Sequence, residues 1–249
     1  MNHQFRSELF KQRTTPSSLW LMISAVALIT AVVLLHVLSL PAAGLANADG
    51  QLKIFGMGTT FGALFASLLG AISITGEIRH GLIRPTFLIT PRRGRVLAAK
   101  AAASALAGAV IGLLTETVGV MAGSAGLAAR GITLTPTAGD LTRLILGGAV
   151  AAALWAVIGS GIGAIVRSQV GALIGLTVWQ LFIEQTLIGI LPDAARYAPG
   201  ASAGSLAGAI LQQTSTSLLP PAAGALVAIG YATAATAAGA ITIARRDVT

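Results

Sequence analysis

There is no cysteine in this chain of 249 residues, which removes disulfides, thiolate metal sites and a cysteine nucleophile. Charge is also scarce: only 10% of residues are charged, against about a quarter in an ordinary soluble domain. The three histidines, His3, His36 and His80, are too dispersed along the chain to suggest a metal cluster. No G-x-x-x-x-G-K-[ST] run is present, so the chain does not bind nucleotide by a P-loop. There is no H-E-x-x-H and no G-x-S-x-G. Asp49, Asp140 and Asp193 have no paired partner nearby in sequence. The expectation is a chain that is not an enzyme, with no catalytic residue, no metal and no cofactor of its own.

What is abundant is apolar. Hydrophobic residues make up 55% of the chain, and the mean hydropathy is +0.83. Together with clustered charges, these predict an integral membrane protein. The net charge of +8 would suggest nucleic acid in a soluble protein. No aromatic platform or recognition helix accompanies it, so nucleic acid is not an expected partner. The cations lie instead at the ends of apolar spans, where they set topology and meet anionic head groups.

A helix crosses a bilayer in about 20 apolar residues. Six stretches qualify. They are about Ser18–Leu40, a part of the charge-free run Ile54–Gly76, about Val96–Ala125, a part of Leu144–Val166, about Gln169–Leu191, and about Pro220–Ala244. Pro16 precedes the first, where a helix tolerates proline. The predicted fold is all-α: a polytopic membrane protein, with residues 1–249 forming a single transmembrane domain. Pro192–Leu219 is only mildly apolar. Its middle, Ala201–Gln213, is either a short re-entrant or interfacial helix or part of a surface loop.

An even number of spans puts both termini on one side. With the termini inside, twelve of the sixteen Lys and Arg residues lie on the inner side, so both ends are expected in the cytoplasm. Ala46-Asn47-Ala48 has the small-x-small form of a signal-peptidase site. The apolar run before it is longer than a signal core of about 7–15 residues, so the first span is expected to stay in the protein.

Glycine pairs four residues apart recur at Gly58/Gly62, Gly108/Gly112, Gly119/Gly123, Gly159/Gly163 and Gly171/Gly175. That spacing lets helices approach closely, although thirty glycines also produce such pairs by chance. Glu116 and Glu184 are acidic residues inside apolar spans, where a charge costs about 2.5–3.5 kcal/mol on insertion scales. At 1.5 Å per residue, both fall roughly 20–30 Å from the cytoplasmic end, in the outer half. They are candidates for a polar, outward-facing substrate path. The alternative has each near the interface, snorkelling or pairing with a cation such as Arg130 or Arg196. His36 reads as a hydrogen-bonded packing residue. Trp20, Trp155 and Trp179 read as interface or bundle aromatics.

The connection between the second and third spans is the most patterned stretch: Gly76-Glu-Ile-Arg-His-Gly-Leu-Ile-Arg-Pro-Thr-Phe-Leu-Ile-Thr-Pro-Arg-Arg-Gly-Arg95. It holds five of the sixteen cationic side chains. A short helix Glu77–Ile83 would place Ile78 and Leu82 on one edge. Pro85 would end it. Phe87, Leu88 and Ile89 would form an apolar knob before Pro91, and Arg92, Arg93 and Arg95 would reach the head groups.

This stretch resembles the first cytoplasmic loop of permease subunits of ATP-binding-cassette exporters of the type-two family. The usual form there is Gly-Glu-aromatic-Arg-x-Gly-Thr-Ile, then a Pro/Leu/Thr-Pro stretch, basic residues and a lysine entering the next helix. Here Gly76-Glu77-Ile78-Arg79-His80-Gly81-Leu82-Ile83 is followed by Thr90-Pro91-Arg92-Arg93 and Lys100. Ile78 replaces the aromatic and Leu82 the threonine. The resemblance extends to Ser7-Glu8-Leu9-Phe10-Lys11-Gln12-Arg13, to Gly163–Gln169, to Arg245-Arg246-Asp247-Val248 and to the six-span layout.

The resemblance implies a permease in a prokaryotic plasma membrane, acting as a homodimer or with a paralogue and bound to separate ATPase subunits that hold ATP and magnesium. It implies a coupling surface of Glu77, Arg79, His80, Gly81, Phe87, Leu88, Pro91, Arg92 and Arg93. Glu77 and Arg79 would act as polar contacts, and Phe87 and Leu88 as apolar anchors. The alternatives are an ATP-independent secondary transporter and a membrane scaffold or sensor that moves nothing.

Overall fold

A computed structural model describes residues 2–81, 93–208 and 218–245. Among the described residues every regular element is helical and there is no strand. The order is α1 (Asn2–Thr14), α2 (Pro16–Ser39), a 3₁₀ turn (Ala42–Leu45), α3 (Ala48–Phe55), α4 (Met57–Arg79), α5 (Arg93–Ala129) and α6 (Ala138–Val166). Then come α7 (Gln169–Val178), a π turn (Trp179–Ile183), α8 (Glu184–Ile190), α9 (Pro192–Ala195), α10 (Pro199–Ala207) and α11 (Pro221–Arg245).

Among the described residues, six helical stretches are long and apolar enough to cross a membrane: Pro16–Ser39, Ala48–Arg79, Gly94–Ala129, Ala138–Val166, Gln169–Ile190 and Pro221–Arg245. They match the six predicted spans and suit a multi-pass membrane protein.

Local chemistry explains the boundaries. Pro16 begins α2, where its missing N–H would have had no helical partner. Asn47 caps α3 by accepting from the Gly50 amide at 2.8 Å. Thr137 and Asp140 form a capping box at the start of α6. Arg167, with φ of 58°, turns the chain out of α6, and Ser168 then caps α7. Two features differ from expectation. The second span is preceded by its own helix, α3, with only Gly56 between them. The fifth span contains a π turn, where the Glu184 amide bonds back to the Trp179 carbonyl.

Burial separates an inner layer from an outer one. In an apolar 18-residue stretch of the spans containing α4, α5 and α6, 67%, 56% and 61% of residues are buried, against 22%, 22% and 17% in α2, the fifth span and α11. The inner layer is held by close backbone approach. A methyl added at Gly70 would lie 2.0 Å from the Ala156 carbonyl oxygen, and one at Gly159 would lie 2.0 Å from that of Ser67. Only glycine fits such an α4–α6 contact, and in lipid this packing supplies attraction that apolarity alone cannot. Gly108 and Gly112 meet Ala152 and Ala156 in the same way. The pair Gly171/Gly175 does not share this role, since Gly175 faces nothing within 4 Å.

The two ends of the bundle have separate clusters. At one end Ile74, Leu97, Ala164 and Ile243 pack together, which brings the close of α11 beside the close of α4 and the start of α5. At the other, Val37, Leu45, Phe55, Leu127, Leu144 and Ala207 form a second core. There Arg130 donates to the carbonyls of Val37 and Leu40, the latter at 2.7 Å, and so finishes α2 with a positive charge.

Candidate functional site

The loop expected to couple to a partner begins on the last turn of α4. Glu77–Arg79 continue that helix rather than opening a new one, because the i–4 ladder runs through to the His80 amide, which bonds to the Gly76 carbonyl at 3.0 Å. Gly81 then adopts φ +68°, a left-handed conformation that favours glycine and ends the helix. The predicted short helix Glu77–Ile83 is therefore corrected at its start. Arg79, His80 and Gly81 are exposed. Arg93 opens α5. Phe87, Leu88, Pro91 and Arg92 lie outside the described residues.

Glu77 itself is buried and occupied within the chain. Lys11 of α1 lies 2.8 Å from both Glu8 Oε1 and Glu77 Oε1, and Lys100 of α5 lies 2.7 Å from both Glu8 Oε2 and Glu77 Oε1. Two carboxylates and two ammonium groups thus join α1, α4 and α5 with no net charge. Lys100 also donates to the Ser73 carbonyl, and Gln12 donates to Ser104 at 3.3 Å beside them. Burial by itself would raise the Glu8 carboxyl. Lys100, with help from Lys11, outweighs it and holds Glu8 below its ordinary range. Burial would lower the Lys11 ammonium, but Glu77 and Glu8 hold it above its ordinary value. Sequence reasoning took Glu8 and Lys100 as parts of a resemblance and missed their pairing. The readable signal was Glu8 and Lys11 one turn apart on α1, with Lys100 inside an apolar helix start.

Towards the opposite end, a cavity of about 360 Å³ opens among α2, α3, α4, α6, α8 and α10. Its walls are mixed. His36, Lys53, Thr59, Gln180 and Glu184 supply polar groups, while Phe61, Trp155 and Ile188 supply apolar surface. His36 is anchored through Nδ1 to the Val32 carbonyl at 2.8 Å. Gln180 sits on the π turn and donates to Ser67 of α4 at 2.9 Å. The extra residue of a π turn rotates the helix face, and such turns recur at functional sites.

Glu184 is 2% exposed and lies on the cavity wall. Its Oε1 accepts from the Ala201 amide at 2.7 Å and its Oε2 from Trp179 Nε1 at 3.2 Å. Ala201 is in the first turn of α10, a helix whose own cap residue, Ala198, offers no side-chain acceptor. Glu184 therefore caps α10 from the fifth span, with a carboxyl oxygen at the positive end of that helix. A pairing of Glu184 with Arg196 is not found, because Arg196 stacks over the Tyr197 ring at 5.1 Å.

Glu116 is fully buried on α5. It accepts a hydrogen bond from the Thr59 hydroxyl and fills the gap left by Gly58 and Gly148, while its Oε2 has no hydrogen-bond partner among the described residues. It does not snorkel, and Arg130 is engaged elsewhere, on the end of α2. Glu116 is not on the cavity surface, but Thr59 is, so the two acidic residues are joined to one cavity by different routes. His36, Lys53, Thr59, Trp155 and Gln180 were not singled out from sequence as members of one site. Isolated polar residues on four elements carry no common spacing. Among the described residues, no group of three or more His, Asp or Glu is placed to hold a metal ion. No protein-family model matches the chain, and no curated protein matches it.

Proposed function

We propose that the chain is the permease subunit of an ATP-driven exporter, with both termini in the cytoplasm of a prokaryotic cell and ATP hydrolysis carried out on a separate subunit. The observation that carries this reading is the order Gly76-Glu-Ile-Arg-His-Gly at the end of α4, on a carboxylate tied to two other helices. Force applied to the loop 76–95 would pass through Glu77 to α1 and α5 together, instead of being lost in a slack tether. Arg79 and His80 remain exposed for the ATPase subunit, so they are the direct contacts proposed here, and Glu77 holds their base. The substrate path would run past Glu184, with Glu116 behind the wall at Thr59. The functional unit would be a homodimer or a pair with a paralogue.

A secondary transporter is the second reading. The π turn in the fifth span, beside a partly polar cavity, favours it, since such turns recur at functional sites. Affinity purification from native membranes separates the two. The exporter reading expects a stoichiometric P-loop subunit with ATPase activity, released by Arg79→Glu. A chain that purifies alone, with transport driven by an ion gradient, overturns it.

A further inference from the structure

The geometry points to the Glu184 cavity as a binding site for an organic cation, an ammonium group carried on an aromatic or aliphatic body. This deepens the exporter reading by naming a substrate class for the same site, and it rests on that reading only for the direction of transport. Glu184 is almost wholly buried, and both its oxygens accept from neutral N–H groups, Trp179 Nε1 and the Ala201 amide. Those bonds fix its orientation, and the α10 terminus offsets part of its charge. Its partners are neutral donors, which leave a counter-charge to be brought by a ligand.

Trp155 and Phe61 line the cavity, and aromatic faces attract a cation that has left water. A volume of about 360 Å³ falls within the range of small-molecule sites, roughly 300–1,000 Å³. Thr60 and Gln185, also on the wall, are exposed and mark the way in. Lys53 sits on the α3 side of the wall, so the cavity is not uniformly negative, and the ligand's cationic end belongs at Glu184.

The test is equilibrium binding of radiolabelled benzyltriethylammonium to the purified chain in lipid nanodiscs, without any ATPase subunit. The expected result is saturable binding, displaced by the unlabelled cation and not by benzenesulfonate. Glu184→Gln keeps the volume and removes the charge, and it should weaken binding at least tenfold, about 1.4 kcal/mol. Thr60→Trp, at an exposed rim position, should block entry and abolish binding while leaving the fold intact. Failure of the wild-type chain to bind saturably overturns the proposal. So does unchanged affinity in a folded Glu184→Gln or in Thr60→Trp. If Glu184→Gln does not fold, Thr60→Trp decides. Cation binding by a chain that co-purifies with no ATPase would sink the exporter reading alone. An ATPase partner with no cation binding would sink this site alone.

Discussion

The Lys100 ammonium lies between Glu8 and Glu77, 2.7 Å from a carboxylate oxygen of each. One side chain of α5 therefore fastens the N-terminal helix to the end of α4, the point from which the loop 76–95 departs. Lys11 closes the arrangement from the exposed side. On the proposed coupling role this would be the base of the loop, because a carboxylate held by two ammonium groups from two other helices cannot move without them.

Replacing Lys100 by methionine would leave two buried carboxylates facing one half-exposed lysine. Breaking a buried pair in this way costs about 3–5 kcal/mol. The unfolding midpoint of Lys100→Met in detergent should fall accordingly. Adding Glu77→Gln should recover part of the loss, giving a double-mutant coupling of about 0.5–3 kcal/mol. Additive losses would show that the pair is not energetically joined.

The same cluster sets a pH window. The folded Glu8 carboxyl lies below its ordinary value, so its contribution is present above the usual glutamate range, about 4.3, and is lost as pH falls through the folded value. The folded Lys11 ammonium lies above its ordinary value, so its contribution is present below about 10.4 and is lost as pH rises through the folded value. The cluster's contribution to thermal stability should therefore be level across neutral pH and fall at both extremes. Glu8→Gln should flatten the acid limb, and an unchanged acid limb in that variant would contradict the assignment.

Glu116 fills space as well as accepting from Thr59. Glu116→Gln preserves volume and an acceptor, and it should change stability by less than the worth of one hydrogen bond, about 0.5–1.5 kcal/mol. Gly148→Ala should do more harm, since its methyl would lie 2.6 Å from Glu116 Cγ. Overpacking of this kind costs about 1–3 kcal/mol. Chemical unfolding of the two variants side by side checks the order.

Arg130→Met removes the cation that closes α2. The carbonyls of Val37 and Leu40 would lose their donor, at a cost of about 0.3–1 kcal/mol. Hydrogen exchange should quicken at the last turn of α2, including the Leu40 amide that bonds to His36, and not at α4 or α6. Equal loss of protection across the bundle would mean that Arg130 does more than cap.

The number of spans, their approximate limits and the helical class were legible in the sequence. A membrane imposes a minimum apolar length and tolerates few charges within it, so one-dimensional composition is enough. The tight packing at Gly108/Gly112 and Gly159/Gly163 was readable as spacing, but the same spacing at Gly171/Gly175 makes no such contact. The roles of the acidic residues were decided only in three dimensions. Sequence shows that Glu116 and Glu184 are costly to bury and reads Glu77 as a partner contact, but it does not show what satisfies any of them. Glu77 meets lysines 66 residues before it and 23 after it, Glu116 meets a threonine 57 residues away, and Glu184 meets a backbone amide 17 residues on. Such partners are chosen by which helix faces can approach, and approach is set by glycine, alanine and the π turn rather than by any local pattern. Depth in the membrane is written along the chain; neighbourhood is settled by packing.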